Sequence, residues 1–332
     1  MSIELPQVSV VGAGRMGEGI ALAVIHAGLP VTLIDIKERA EDERDDYFER
    51  VRNNIRGELL MLVRLGVLQP EQADIALSRL TLQTRDRACE ALRRCELVFE
   101  AVPEVIEAKQ QTFAWVSEHV PASAIIASTT STFLVTELSE MVSTPARFVN
   151  AHWLNPAHLM PLVEVSRSAA TCPQVVERLL QLLKRIGKVP VVCNPVAGYI
   201  VPRIQALAMN EAARMVEEGV ASAEDIDTAV RIGFGLRFSV LGLLEFIDWG
   251  GGDILYYASR YLSGALAPRF ESPQVIADNM HNGRNGLRDG QGFYDYRELD
   301  VEAYKQQRMG AFVQKLASSG LTPAFDGALA QA

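Results

Sequence analysis

Between Val8 and Gly17 the chain reads Val8-Ser-Val-Val-Gly12-Ala-Gly14-Arg15-Met16-Gly17, a β-branched run passing directly into G-x-G-x-x-G. Apolar side chains then recur at helical spacing through Met16, Ile20, Ala23, Val24 and Ala27. Gly12 permits a tight strand-to-helix turn, Gly14 lets a pyrophosphate approach the main chain, and Gly17 lets helix and strand pack closely. The helix N-terminus, with Arg15 and Met16 in its first turn, offers amide donors and a favourable dipole for phosphate. A second strand ends in Asp35, 18 residues beyond Gly17. A carboxylate there accepts hydrogen bonds from a ribose 2′-hydroxyl and repels a 2′-phosphate. The set predicts a Rossmann-type domain that binds NAD rather than NADP, although Lys37 and Arg39 lie nearby.

The wider pattern agrees. Over the first ~190 residues, β-branched runs alternate with amphipathic stretches, as in a parallel sheet flanked by helices. Strands are expected at residues 8–11, 31–34, 80–83, 97–101, 124–128, 147–151, 162–166 and 189–193. Helices are expected to begin near Arg15, Glu104, Thr132 and Pro173, and the charged segment 38–77 to form an inserted helical hairpin. Beyond Asn194-Pro195 the spacing of Ile200, Ile204, Leu207, Ala208 and Met215 is helical, and Ser222…Asp225 reads as a capping box. The expected division is therefore an NAD-binding domain over 1–193 and an all-helical domain over 194–332. The second is expected to serve substrate binding and dimerisation, its numerous apolar faces suggesting a dimer interface, and the tail after Leu321 is expected to be loosely ordered.

Composition narrows the partners. The 332 residues carry 32 Lys+Arg against 41 Asp+Glu, a net charge of −9, without a basic tract suited to nucleic acid. No apolar run reaches the ~20 residues of a membrane span, and the first residues do not resemble a secretory signal. Cys89, Cys95, Cys172 and Cys193 include no C-x-x-C pair, which suits reduced thiols in a cytoplasmic enzyme. The histidines lack metal-ligand spacing, so no metal is expected.

Of the five histidines, His26 and His119 fall toward the ends of expected surface helices. His152 directly follows the expected strand 147–151, at the C-terminal end of a sheet strand, where such folds bind ligands. Glu164 lies in the next strand. A carboxylate touching that imidazole would fix its tautomer and favour the imidazolium formed when it takes an alcohol proton. A histidine beside an apolar strand also occurs as a hydrogen-bonded structural residue, so from the residues alone both roles stay open.

Several motifs, in order, carry a resemblance. They are GAGRMG, Phe99-Glu-Ala101-Val102-Pro-Glu104 with Lys109 downstream, Ser128-Thr-Thr-Ser131, Asn150-Ala-His152-Trp-Leu-Asn155-Pro156 and Leu162-Val-Glu164-Val. Further on come Gly198-Tyr-Ile-Val-Pro-Arg203, Glu245-Phe-Ile-Asp248 and Gly290-Gln-Gly292-Phe-Tyr-Asp295. Together, over about residues 6 to 296, they resemble the L-3-hydroxyacyl-CoA dehydrogenase family. The resemblance implies reversible, NAD-dependent oxidation of an L-3-hydroxyacyl-CoA, in the first instance a short-chain one such as 3-hydroxybutyryl-CoA. It implies His152 as general base, Glu164 as its support, Ser131 as hydrogen-bond partner of the reacting oxygen, and Asn155 as a residue that sets the loop and its contacts. Ala101, Val102, Glu104, Lys109 and Ser131 match positions near the cofactor, Glu104 and Lys109 on its nicotinamide side.

Two departures bear on the substrate. Pro202 stands where the family usually has Asn: either proline is simply tolerated in a first helical turn, or acyl specificity changes or activity is lost, and retained activity with altered substrate contacts is the expectation. Gly235-Leu-Arg237-Phe-Ser239 is similar to relatives that oxidise free hydroxy acids, the gulonate (lambda-crystallin) and carnitine dehydrogenases. Arg237 could clamp a carboxylate there, or be an exposed arginine. Arg52, Arg56 and Arg64 are candidate CoA-phosphate contacts or a solvated helix face. A free polar hydroxy acid is thus the alternative substrate, and a non-catalytic, crystallin-like NAD-binding protein the alternative of a different class.

Overall fold

The computed structural model describes residues 6–322; the tail after Leu321 lies almost wholly outside them. Eight strands form one sheet: β1 (Val8–Val11), β2 (Val31–Asp35), β3 (Leu80–Thr84), β4 (Leu97–Glu100), β5 (Ile125–Ser128), β6 (Phe148–Trp153), β7 (Leu162–Ser166) and β8 (Val189–Cys193). Their order, β3-β2-β1-β4-β5-β6-β7-β8, reverses direction at β1 and β4. That switch point opens a crevice at the carboxyl ends of the strands. Every residue of β1, β4, β5 and β6 is buried, as expected for strands covered on both faces.

The first unit runs to Met209. Its helices are α1 (Arg15–His26), α2 (Glu41–Arg64), α3 (Pro70–Leu77), α4 (Cys89–Arg93), α5 (Ile106–His119), α6 (Val135–Ser139) and α7 (Pro173–Arg185), followed by the first half of α8 (Val201–Glu217). The expected hairpin is α2 and α3. Val51, Ile55, Leu59 and Leu62 of α2 are buried at helical spacing and put its apolar stripe into the core.

The sheet is not parallel throughout. β7 runs antiparallel to β6, while β8 runs parallel to β7. The connection from Trp153 to Leu162 is too short for the crossover that a parallel neighbour requires. His152 was expected just past its strand, yet it lies within β6. The pairing with β7 extends the ladder to Trp153, with His152 opposite Glu164, while Arg147 falls in a single 3₁₀ turn, Pro145–Arg147. Two helices start later than expected. Glu104 is drawn away by Thr130 and Ser131. Thr130 Oγ1 accepts from the amides of Thr132 and Phe133, holding a side-chain turn ahead of α6.

The second unit, Asn210 onward, is helical among the described residues. It contains α9 (Ala223–Ala229), a π-helical stretch Val230–Gly235 running into α10 (Leu236–Phe238), α11 (Leu243–Gly250), α12 (Gly252–Ala265), α13 (Gln274–His281) and α14 (Val301–Ser318). Ser222 caps α9 by accepting the amide of Asp225 at 3.1 Å. Asp248 is buried and accepts from the amides of Phe293 and Tyr294, both at 2.9 Å, and from the Tyr296 hydroxyl at 3.1 Å. A Cβ at Gly286 or Gly292 would collide with Asp248. The motifs around Asp248 and Gly290–Asp295 therefore form one internal lock.

Candidate active site and dinucleotide cradle

The turn after β1 is shaped by its glycines. Gly12 has a φ of +111°, and a Cβ there would meet the Ala101 carbonyl at 2.5 Å. A Cβ at Gly17 would run into the Gly12 carbonyl, so helix and strand pack backbone to backbone. Over Gly14 the space is open to 4 Å. These three environments fit the three roles the motif assigns, with the open one where a pyrophosphate is accommodated.

Gly12, Gly14, Arg15, Met16, Asp35, Ala101 and Val102 line one cavity of about 270 Å³. Asp35, at the end of β2, is buried. Arg39 Nε lies 2.6 Å from its Oδ2, and the guanidinium covers the Tyr47 ring at 3.9 Å. The Tyr47 hydroxyl in turn donates to the Ala13 carbonyl at 2.5 Å. The residues present fit a dinucleotide with a free ribose 2′-hydroxyl.

On the far side of the switch point, Lys109 Nζ sits 3.0 and 3.1 Å from the two oxygens of Glu100 and 3.6 Å from Glu104. Glu100 also accepts from Ser128 Oγ at 2.5 Å and from the Val102 amide at 2.9 Å. Burial pushes the Glu100 carboxyl above the usual carboxylate range, against the pull of Lys109, Ser128 and the Val102 amide. Glu104 accepts from Thr130 Oγ1 at 2.9 Å and from the Ser131 amide at 2.6 Å, joining the loop after β4 to the loop after β5. Glu100 was missed as a site residue, although it stands in the Phe99–Glu104 run. What marks it is a charged residue at the end of an otherwise apolar buried strand.

His152 and Glu164 meet. His152 Nδ1 lies 2.9 Å from Glu164 Oε2, with both side chains buried. Glu164 Oε1 accepts from the amides of Ile200 and Val201, each at 2.9 Å, at the start of α8. With Nδ1 donating to the carboxylate, Nε2 is left as the acceptor. Pro202 follows these two amides in the first turn of α8 and has no N–H to satisfy. Asn155 is exposed and lines, with Arg15, Glu18, Asn54, Glu58 and His158, a cavity of about 680 Å³.

Other expected residues are more scattered. Ser131 is exposed and is tied through its amide to Glu104. Arg237 belongs to the second unit, where it lies over the Phe246 ring at 4.7 Å. Arg56 and Arg64 are exposed on α2 and Arg52 is partly buried.

Comparison with known proteins points to one family. Residues 7–196 match the family model for the NAD-binding domain of 3-hydroxyacyl-CoA dehydrogenase, and residues 198–296 match that for its C-terminal domain. The chain is 30% identical to 5-formyl-3-hydroxy-2-methylpyridine 4-carboxylate 5-dehydrogenase of Mesorhizobium japonicum over 91% of its length and 94% of the relative's. It is 32% identical to 3-hydroxybutyryl-CoA dehydrogenase of Bradyrhizobium diazoefficiens, covering 90% and 97%. The crystal structure of a 3-hydroxyacyl-CoA dehydrogenase from Archaeoglobus fulgidus superimposes with a TM-score of 0.73 at 31% identity, covering 95% of this chain and 99% of that one.

Proposed function

The chain belongs to the 3-hydroxyacyl-CoA dehydrogenase family, whose members are NAD-dependent oxidoreductases, and from that premise we propose that it oxidises a short-chain L-3-hydroxyacyl-CoA to the 3-ketoacyl-CoA. The observation that carries this reading is the buried His152–Glu164 pair at 2.9 Å, in the domain that forms the dinucleotide cradle.

NAD, when bound, accepts the hydride from the carbinol carbon. The chain supplies the rest. His152 Nε2 takes the hydroxyl proton as that hydride leaves, a role worth about 10²–10⁴-fold for a positioned base. Glu164 holds the imidazole orientation and offsets the charge that develops on it. Ser131 donates to the reacting oxygen, and Asn155 sets the loop that borders the larger cavity. Lys109 and Glu104, with Ala101 and Val102, border the nicotinamide end. In reduction the same proton returns from His152.

A second reading has specific support. The Mesorhizobium relative is named for a pyridine carboxylate, and the chain carries Pro202 and Arg237. A free hydroxy acid, with Arg237 clamping its carboxylate, is the alternative. Assaying NADH formation with a panel of L-3-hydroxyacyl-CoAs and free hydroxy acids separates the two. Turnover of 3-hydroxybutyryl-CoA supports the first reading, and turnover of free acids alone supports the second. Pro202→Asn is expected to change acyl chain-length preference without changing NAD affinity; an unaltered preference would remove Pro202 from the substrate site.

The division of labour proposed is NAD binding by residues 1–193 and substrate binding and dimerisation by 194–332. We place the enzyme in the cytoplasm. The four cysteines are free thiols, which fits a reducing compartment, and no helix among the described residues is long and apolar enough to cross a membrane.

A further inference from the structure

Tyr199 is, among the described residues, the only non-glycine with a positive φ, +44°. A bulky side chain is rarely held in that left-handed region unless its surroundings fix it there. It follows Gly198, whose φ is +80°, so two successive residues make a sharp turn just before α8. The turn delivers three things to one place. The Tyr199 ring stacks on the His152 imidazole, with centroids 4.7 Å apart and planes 12° from parallel. The amides of the next two residues, Ile200 and Val201, hold the far oxygen of Glu164. The Tyr199 hydroxyl donates to the Thr130 carbonyl at 2.9 Å and accepts from Asn150 Nδ2 at 3.1 Å. Burial raises that hydroxyl above its ordinary range, so it stays a neutral donor.

From this arrangement we propose that Tyr199 is a positioning residue for the dehydrogenase reaction: its ring fixes the plane of His152 against Glu164, and its hydroxyl ties that pair to the loop bearing Ser131. The ring covers one face of the imidazole, leaving rotation about the ring bond hindered, while Glu164 is anchored by the same turn. Thr130 adjoins Ser131, so the hydroxyl sets the distance between the proton acceptor and the group that contacts the reacting oxygen. Asn150 lies two residues before His152 on β6 and transmits the tie to the same strand. Misplacing a reacting group by about 1 Å is worth on the order of 10²-fold in rate, which is the scale on which such a device acts.

The catalytic consequence rests on the proposed hydroxyacyl-CoA activity, but the positioning itself has a readout free of substrate. Nδ1–H of His152, bonded to a carboxylate and buried, should give a slowly exchanging downfield proton resonance, identified by its loss in His152→Gln. Tyr199→Leu, which removes ring and hydroxyl, is expected to broaden or lose that resonance and to lower turnover on the order of 10²-fold with NAD affinity unchanged. Tyr199→Phe keeps the ring, so it should retain the resonance and lose turnover only severalfold. The proposal is overturned if Tyr199→Leu keeps both the resonance and parental turnover. Should Tyr199→Leu fail to fold, Tyr199→Phe decides: parental turnover overturns the tie to the Ser131 loop, and a severalfold loss with unchanged NAD affinity supports it. A parent protein silent on every hydroxyacyl-CoA, yet with the expected resonance pattern, would overturn the substrate assignment and support the positioning role.

Discussion

At the scale of single residues the site holds its supporting polar atoms in hydrogen bonds and turns Nε2 of the imidazole away from them. Glu164 spends one oxygen on His152 and the other on two amides, so the imidazole keeps Nε2 for substrate. Glu164→Gln preserves shape but replaces an acceptor oxygen by a donor amide, which conflicts with either Nδ1–H or the two main-chain amides. Steady-state kinetics should then show kcat reduced by about 10²–10⁴-fold with the dissociation constant for NAD unchanged; a kcat near the parent's would mean that Glu164 only supports the fold. The glycines give a contrast of the same kind. Gly14→Ala meets no neighbour within 4 Å and should leave thermal stability unchanged while weakening NAD binding, since the methyl occupies the pyrophosphate's approach. Gly17→Ala runs into the Gly12 carbonyl and should lower stability as well. Equal melting temperatures for the two variants would contradict the backbone-to-backbone packing.

Elements set where those residues stand. Trp153 to Leu162 reverses the chain, and Lys188 holds the reversal by donating from Nζ to the carbonyls of Ala157 at 2.7 Å and Met160 at 2.9 Å. In the second unit Asp248 plays the corresponding part for the segment after α13. Replacing Asp248 by Ala removes the acceptor of two part-buried amides and one buried hydroxyl, and chemical denaturation should register a loss of about 2–3 kcal/mol. A loss within ~0.5 kcal/mol, the range of an ordinary surface substitution, would show that the lock is idle. This scale is also where the sequence could be read well and where it could not. Strands β1 and β7 and the hairpin α2–α3 follow from local pattern, because buried strands and amphipathic helices write their periods into the chain; the half-exposed edge strand β8 shows through its β-branched run. The antiparallel turn of β7 was written in the short connection from Trp153 to Leu162, but the strand-helix alternation of the preceding segments pointed to a parallel sheet throughout. His152 and Glu164 were visible as a pair, yet the amides that anchor Glu164 were not, because backbone donors leave no mark on residue type. Tyr199 was legible only as a letter in a motif, since nothing in the sequence states its positive φ. Glu100 was marked as a charge ending an apolar strand, but its partner Lys109 lies on a different element, α5, and local pattern does not join the two.

For the whole molecule the open surface matters most. Leu207, Met209, Val220, Ile254, Tyr257, Tyr261 and Val313 of the helical region are strongly exposed, more large apolar side chains than an isolated soluble chain usually leaves in water. We propose that a second copy covers them. Sedimentation equilibrium should give twice the 36.5 kDa chain mass, and a single-chain mass at micromolar concentration would contradict the dimer. With a net charge of −9, the anionic substrate proposed would be drawn in by local cations and helix N-termini rather than by the overall field. Raising ionic strength should therefore change KM less than it would for a basic protein. All of this bears on the one act proposed for the site, the removal of a proton by His152 beside a bound dinucleotide. The direct measurement is turnover and NAD binding in His152→Gln beside the parent enzyme. The account predicts that turnover disappears while the dissociation constant for NAD stays the same; a variant that still turns over at the parental rate would contradict it.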